Sequence, residues 1–279
     1  MRSVQSQSPN LDDNVTHAAV PVPGIASVVR NARSARDRRA ANGNATAAMC
    51  LLTKGNDAEL DEWVSYHLGL GFDEIYIFDN SGSNALRRWA MAASWAVAQH
   101  GGEQHHGLRV DVEPWPDPND HIVNASKQRA AYTHCVEHYL KPRGITWLAL
   151  FDVDEFLVLN EHSSVVPFLI EWSPPRGSVV VHWVVFGTSN LTRADHDVPV
   201  TWHFQHPVRK IAHPGFHTIK SIARVDDFED MRGSPHSVWF TKAAFSAETV
   251  QVDTLGRTSG AMSLSQVSDD SCVQTESHS

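Results

Sequence analysis

Strand-like and helix-like runs alternate through the middle of the chain, and this alternation constrains the fold more than any other feature. The first unit predicts a strand over Met49–Thr53, followed by a helix with apolar residues at helical spacing that ends at Gly71. The same order continues downstream, with strands at Glu74–Phe78, Leu108–Glu113 and Trp147–Phe151, and helices at Leu86–Val97 and Ala125–Tyr139. Strand–helix–strand units of this length favour a parallel sheet with helices on both faces.

From Ser178 onward the pattern becomes richer in β-strands. Strands are predicted at Val179–Phe186, Val200–Phe204, Ile219–Val225 and Val238–Phe240. We interpret them as the second half of one α/β domain that covers residues 47–245. Residues 1–46 are expected to form a disordered or weakly helical arm, and residues 246–279 a flexible polar tail, because neither stretch has a persistent apolar period.

Charge and hydropathy exclude some classes of function. The 279 residues carry 23 basic and 32 acidic side chains, and the resulting net charge of −9 argues against a general nucleic-acid binder. No run approaches the roughly 18–20 apolar residues that cross a bilayer. We therefore expect a soluble protein, or one of the Golgi or secretory membrane system if the start of the chain is incomplete.

The cysteines carry little information in the sequence. Cys50, Cys135 and Cys272 are odd in number and lack a CxxC spacing, so they suggest neither a disulfide framework nor a cysteine-based zinc site. A histidine zinc site is not indicated either, because the chain has no HExxH motif.

Three carboxylates, Asp152, Asp154 and Glu155, follow the predicted strand Trp147–Phe151 directly. Strand alternation predicts that Asp152 and Asp154 share one face and Glu155 lies on the other. Carboxylates this close repel each other unless a cation intervenes. Oxygen ligands suit Mg²⁺ or Mn²⁺, and such an ion can also hold a diphosphate. A plain solvated acidic loop is the alternative.

Two other polar clusters, Lys54–Asp57 and Asp79–Ser83, also follow predicted strands. In open α/β sheets, ligands bind where the strands end at their carboxyl termini. We therefore expect the three clusters to converge on one site. The acidic body of the chain also offers a few cations that would help to hold a diphosphate: Lys54, Lys127, Arg209 and Lys220.

The residues at 54–80, 127–135 and 147–157 resemble glycosyltransferase family 92, and looser matches extend the resemblance over roughly residues 48–240. The resemblance implies a GT-A fold, which is a single nucleotide-sugar-binding α/β/α domain with a mixed, mostly parallel central sheet. It also implies a DxD motif at Asp152–Asp154 and a divalent cofactor, usually Mn²⁺. The implied reaction is inverting transfer of a hexose, with UDP-galactose as donor and a glycan or glycoconjugate as acceptor.

The same resemblance implies a role for each matched residue. Asp152 would contact the ribose or the metal, Asp154 would bind the metal, and His236 would complete the contacts to metal or diphosphate. The other matched residues would line the nucleotide-sugar pocket: Lys54, Glu59, Asp79 and Lys127.

An inverting displacement needs a carboxylate base that takes the proton of the acceptor hydroxyl. Asp195 and Asp197 lead the candidates because they follow the strand end at Phe186-Gly187, a common place for acceptor loops. The other candidates are Glu155, Asp227 and Glu229. Three tryptophans are candidates for stacking on sugar rings, although core packing is the commoner role: Trp183, Trp202 and Trp239.

Two other functions remain open at this point. Phosphatases of the haloacid-dehalogenase type also place a DxD motif after a strand, but they place it after the first strand, whereas here three strands precede the one that leads into the motif. A relative that binds nucleotide sugars or glycans without turnover is the second alternative. The intact Asp152 and Asp154 argue against such a degenerate protein.

Overall fold

A computed structural model describes thirteen stretches of the chain, and every structural statement below concerns these residues: 23–31, 41–54, 57–81, 86–105, 107–115, 125–173, 176–182, 184–187, 198–204, 219–230, 239–240, 251–253 and 258–259. The α-helices are α1 (Pro23–Asn31), α2 (Asp57–Leu70), α3 (Arg87–His105), α4 (Ala125–Cys135), α5 (Lys141–Arg143), α6 (Val165–Trp172) and α7 (Val200–His203). The strands are β1 (Ala47–Thr53), β2 (Glu74–Asp79), β3 (Arg109–Pro114), β4 (Trp147–Ala149), β5 (Ser178–His182), β6 (Ile219–Arg224), β7 (Phe228–Asp230), β8 (Trp239–Phe240), β9 (Gln251–Asp253) and β10 (Thr258–Ser259).

The central sheet has eight strands in the order β10-β9-β5-β6-β4-β1-β2-β3, and β7 pairs with β8 separately. Strand β1 pairs in parallel with β2 and β4, and β2 pairs in parallel with β3. Strand β6 runs antiparallel to both β4 and β5. The expected α/β fold with a mixed, mostly parallel sheet is therefore confirmed.

Strand β1 shows why the sheet is covered on both faces. All seven of its residues are buried. Ala47, Met49 and Leu51 belong to a core shared with α1, α2, α3 and α6, whereas Ala48, Cys50 and Leu52 belong to a core shared with α4. A strand that is buried on both faces has a continuous run of apolar residues, and this run makes the strand easy to recognise in the sequence.

Several predicted elements end earlier or later than expected. Helix α2 ends at Leu70, and Gly71 takes the left-handed conformation (φ 103°) that favours glycine after a helix. Strand β4 ends at Ala149 instead of Phe151, and β5 ends at His182 instead of Phe186. The α-helical geometry of α4 ends at Cys135 and continues as a π-helical turn, Val136–Leu140.

One predicted strand, Val200–Phe204, is wrong, because residues 200–203 form the short helix α7. Its β-branched and aromatic residues favour a strand locally. A contact from far along the chain overrides this preference, since the Glu62 carboxylate accepts hydrogen bonds from the Val200 and Thr201 amides at 2.6 and 3.1 Å. These amides are the unsatisfied donors of a helix start.

Helix α1 lies within the stretch that was expected to be an arm. Its Ile25 and Val29 are completely buried and belong to the core on the α2 face of the sheet. No helix in the part of the chain described above is long and apolar enough to cross a membrane.

A disulfide joins Cys50 of β1 to Cys135 of α4, contrary to the expectation from the cysteine count. Both residues are completely buried. They are 85 positions apart, so no local spacing pattern announces the bond, and Cys272 makes the total odd. The bond ties α4 to β1, an interior strand of the sheet.

Replacing both cysteines, Cys50→Ala with Cys135→Ala, is expected to lower the free energy of unfolding by about 2–4 kcal/mol, because the bond restricts a long loop in the unfolded chain. Urea unfolding in oxidising buffer measures the change, and Cys272→Ala is the control, which should unfold like the wild type. Reductant should move the wild type toward the double variant. Equal midpoints for all three proteins would contradict a disulfide between these residues.

Candidate functional site

Polar residues gather where β1, β2 and β4 end, which we call the carboxyl end of the sheet. Lys54 follows β1, Asp79 is the last residue of β2, and Asp152 comes three residues after β4. Because these three strands are parallel neighbours, their carboxyl termini lie side by side. Glu59 is close by in the chain, in the first turn of α2.

Helix α4 brings Lys127 toward the same end. The Tyr132 hydroxyl accepts a hydrogen bond from the Leu52 amide at 3.5 Å, and Cys135 is bonded to Cys50. The helix therefore runs antiparallel to β1, with its first turns toward the carboxyl end of the sheet. The Nζ atom of Lys127 is buried there.

The acidic residues lie in a loop over residues 150–157, which we call the acidic loop. Because β4 ends at Ala149, strand alternation does not extend to these residues, and the prediction that separated Asp152 from Glu155 is wrong. The Glu155 amide donates to the Asp152 carbonyl at 3.0 Å, and the Asp152 amide donates to Glu155 Oε2 at 2.9 Å. Asp154 is the exposed member of the three.

The cation between Asp152 and Glu155 is Lys220. Its Nζ lies 3.0 Å from Asp152 Oδ2 and 2.9 Å from Glu155 Oε2, and the lysine is only 1% exposed. Sequence reasoning named Lys220 as one of several available cations but did not assign it these partners. The antiparallel strand β6 supplies it, because Ile222 pairs with Ala149 at the end of β4. Two residues earlier on β6, Lys220 lies beyond that strand end.

Burial affects the ionisation of the groups around Lys220. Burial raises the pKa of Glu155, Lys220 opposes the increase, and the neighbouring Asp152 carboxylate adds to it. Burial also raises the pKa of the Tyr132 hydroxyl, and the negative charges of Asp152 and Glu155 contribute in the same direction. Lys220 thus pairs with one carboxylate that is mostly buried, Glu155, and with one that is partly open to water, Asp152.

Helix α2 holds the other end of the acidic loop through three side chains. Trp63 Nε1 donates to the Glu155 carbonyl at 2.9 Å, and the Tyr66 hydroxyl donates to the Leu157 carbonyl at 2.8 Å. His67 Nε2 accepts from the Leu157 amide at 3.4 Å. The loop is therefore bonded through its backbone to a helix that packs in the core.

His67 performs this role as a neutral ring. It is completely buried, and burial lowers its pKa from 6.5 to about 3. Its Nδ1 lies 2.9 Å from the Trp63 carbonyl, so Nδ1 carries the proton and Nε2 is left to accept. The rings of Tyr66, Phe72 and Phe156 pack around it.

Asp79 accepts local hydrogen bonds at the same end of the sheet. Its Oδ1 accepts from the Ser81 amide at 2.9 Å, and its Oδ2 accepts from the Leu86 amide at 3.2 Å. The carboxylate therefore shapes the turn after β2 and the start of α3. Its role beside a nucleoside stays a prediction.

A cavity of about 790 Å³ lies along β3, away from the acidic loop. Arg87 and Met91 of α3, Glu113 of β3 and Tyr139 line part of it. Of the described residues that line this cavity, Asp79 alone belongs to the predicted site.

Five of the remaining candidates lie outside the described residues, and two candidate bases, Asp227 and the exposed Glu229 of β7, follow β6. Asp195, Asp197 and His236 lie outside the described residues, as do Trp183 and Arg209. Asp227 is at the opposite end of the sheet, because the turn that contains it follows β6 where the Val225 amide bonds to the Thr146 carbonyl before β4. It is buried and pairs with Arg176, so its position argues against a role as the base.

The donor set fits a divalent cation that a substrate helps to hold. Within the described stretches, no group of three or more His, Cys, Asp or Glu side chains is placed to hold a metal alone. Asp152 and Asp154 still offer carboxylate oxygens, and one oxygen of Asp152 is engaged by Lys220. Mg²⁺-type sites commonly use one or two carboxylates together with substrate phosphates, and two carboxylates suffice for that arrangement.

The variant His67→Gln is expected to be less sensitive to acid than the wild type. Between pH 6.5 and about 3, unfolded His67 binds a proton that the folded ring does not. The stability due to neutral His67 is therefore complete above pH 6.5 and falls by about 1.4 kcal/mol per pH unit below it. Urea unfolding at pH 7.5 and 5.5 measures this component.

The exposed His138→Gln is the matched control and should keep the acid sensitivity of the wild type. An equal loss of stability between the two pH values in wild type and His67→Gln would show that His67 is not held neutral.

Comparison with known proteins identifies the family. The family model of glycosyltransferase family 92 matches residues 103–253, which is more than half of the chain. A family 92 protein of Ricinus communis is 27% identical over 143 residues, 51% of this chain and 21% of that protein. One of Arabidopsis thaliana is 24% identical over 116 residues, 42% of this chain and 17% of that protein. The chain thus spans about a fifth of the length of these relatives. By the extent of the family match, it belongs to glycosyltransferase family 92.

Proposed function

We propose that this chain is a metal-dependent glycosyltransferase that moves a hexose, galactose from UDP-galactose, to a hydroxyl of a glycan acceptor with inversion. Family membership supports the reaction class. The observation that carries the site is the acidic loop, whose Asp152 and Asp154 lie at the carboxyl end of the sheet, where α/β proteins bind ligands. Mn²⁺ or Mg²⁺ is the proposed cofactor.

Asp152 and Asp154 have different tasks in this proposal. Asp152 is held by Lys220 and by its bond to Glu155, so its carboxylate is oriented before any ligand arrives. Asp154 is exposed and able to meet a cation that enters from solvent. When bound, the cation supplies charge that stabilises the departing diphosphate.

The proposed base is Asp195 or Asp197, and the third candidate, Glu155, is disfavoured by its contacts. Its Oε2 atom accepts from the Asp152 amide and contacts Lys220 Nζ, both at 2.9 Å. A carboxylate that holds the loop in this way is poorly placed to take a proton from an acceptor. Asp195 and Asp197 are proposed because they follow residues 186–187 in the chain, where acceptor loops are common.

Trp202 is the proposed stacking surface for the acceptor sugar. Its side chain is 70% exposed on α7, although tryptophan is usually well buried. Glu62 holds the start of α7, and the next residue on α2, Trp63, bonds to the acidic loop. One helix thus positions both the donor-side loop and the exposed indole, whose flat face suits a pyranose ring.

Asp154→Asn is expected to lower transfer at least about 100-fold, and chelation should do the same to the wild type, because both remove charge stabilisation from the leaving group. UDP release from UDP-galactose with and without Mn²⁺ measures this. Asp226→Asn is the control, an exposed aspartate in the turn at the opposite end of the sheet, and it should keep full activity.

Two outcomes would contradict parts of this function. Transfer that is indifferent to both chelator and Asp154→Asn would reject the metal role. Tight binding of UDP-galactose, with no UDP released across a wide panel of glycan acceptors, would identify a binding protein without turnover.

Trp202→Ala is expected to raise the acceptor KM by about 3- to 10-fold, which corresponds to one lost aromatic contact. The donor KM should stay at its wild-type value, and Trp202→Phe should recover most of the acceptor affinity. The control is Trp95→Ala on α3, an indole of similar exposure at 59%. If Trp202→Ala and Trp95→Ala gave the same acceptor KM, Trp202 would not contact the acceptor.

A further inference from the structure

Lys220 places a positive charge within the proposed cation site. Its ammonium contacts Asp152 Oδ2 at 3.0 Å and Glu155 Oε2 at 2.9 Å. Because the lysine is 1% exposed, water screens this charge weakly. A strand of the central sheet carries it, so it cannot leave the site as a surface lysine can.

This placement affects any cation that approaches Asp152. An entering dication would share the Asp152 carboxylate with an ammonium that is already bound to it. Like charges repel, and burial of the ammonium limits how far water screens this repulsion, although the Asp152 side chain itself is 36% exposed. Asp152 therefore binds a dication less strongly than its charge suggests, and the exposed Asp154 of the same loop is left to contribute more.

We propose that Lys220 is a positioning residue that keeps the Asp152–Asp154 cation site weak until a diphosphate arrives with its own negative charge. Lys220 thereby makes the cation and the nucleotide bind as a unit. The inference rests on the proposed function for the nucleotide. The effect of Lys220 on the bare cation does not depend on the identity of the donor.

A purely structural role for Lys220 predicts different behaviour. Loss of the lysine would leave Glu155 buried without a counter-charge, which destabilises a protein. Such a role changes stability and leaves the affinity for a bare cation unchanged or weaker. The sign of the change in cation affinity therefore separates the two roles.

The experiment is titration of Mn²⁺, followed by its electron paramagnetic resonance signal, with and without UDP. The variants are Lys220→Met, Lys220→Arg, Glu155→Gln and the double variant Lys220→Met with Glu155→Gln. The last pair compares proteins with and without Lys220 in a background that lacks the Glu155 charge. This comparison remains valid if Lys220→Met alone fails to fold, which circular dichroism reports.

Without UDP, loss of Lys220 is expected to tighten Mn²⁺ binding by about tenfold. The comparison is Lys220→Met against the wild type, or the double variant against Glu155→Gln. Lys220→Arg, which keeps the charge, should bind Mn²⁺ as weakly as the wild type. UDP should strengthen Mn²⁺ binding about tenfold in the wild type and much less once Lys220 is replaced by Met.

Mn²⁺ binding without UDP that is unchanged or weaker on loss of Lys220, in both backgrounds, would overturn the inference. A different result would reject the proposed function. If loss of Lys220 tightened Mn²⁺ binding while UDP affected no variant, the role of Lys220 toward the cation would stand and UDP would be rejected as part of the donor.

Discussion

The contact of Lys220 with Asp152 and Glu155 is the interaction on which the site depends. A buried ammonium is tolerated only when it is paired and hydrogen-bonded, and two carboxylates at 2.9 and 3.0 Å meet this requirement. The topology of the sheet makes this pairing possible. Had β6 run parallel to β4, its first residues would lie at the other end of the sheet, so the antiparallel strand is what brings Lys220 to the acidic loop.

Helix α2 provides the second support of the loop, and it does so without charge. Trp63, Tyr66 and His67 bond to backbone atoms of residues 155–157, so the loop is held whatever its own side chains bind. The arrangement needs a neutral histidine, because Nε2 must accept. Burial among aromatic rings ensures this by lowering the pKa of His67 to about 3. Packing in the core thus fixes the backbone of a loop on which Asp154 is exposed.

The sequence predicts the local part of this structure and misses the part that depends on distant pairs. Apolar runs located the strands β1 to β4, and the position of the acidic residues after β4 followed from them. The partners of Asp152 could not be predicted, because Lys220 is 68 residues away and the apolar period of the sequence does not specify the order of the strands. The bond of Cys50 to Cys135 and the capping of α7 by Glu62 were missed for the same reason. In each case a contact across the fold overrides or completes a local pattern.

The long-range contacts have one consequence for how the two substrates would be coordinated. Two adjacent residues of α2 bond to different segments, since Glu62 bonds to α7 and Trp63 bonds to the acidic loop. The segments on either side therefore share one rigid support. A displacement of the acidic loop would act on α2 through Trp63, Tyr66 and His67. By contrast, the hydrogen bonds described between α7 and α2 all end on the partly buried carboxylate of Glu62. If α7 presents Trp202 to the acceptor as proposed, the acceptor side would depend on fewer contacts with α2 than the acidic loop does, which would suit an acceptor that must enter and leave.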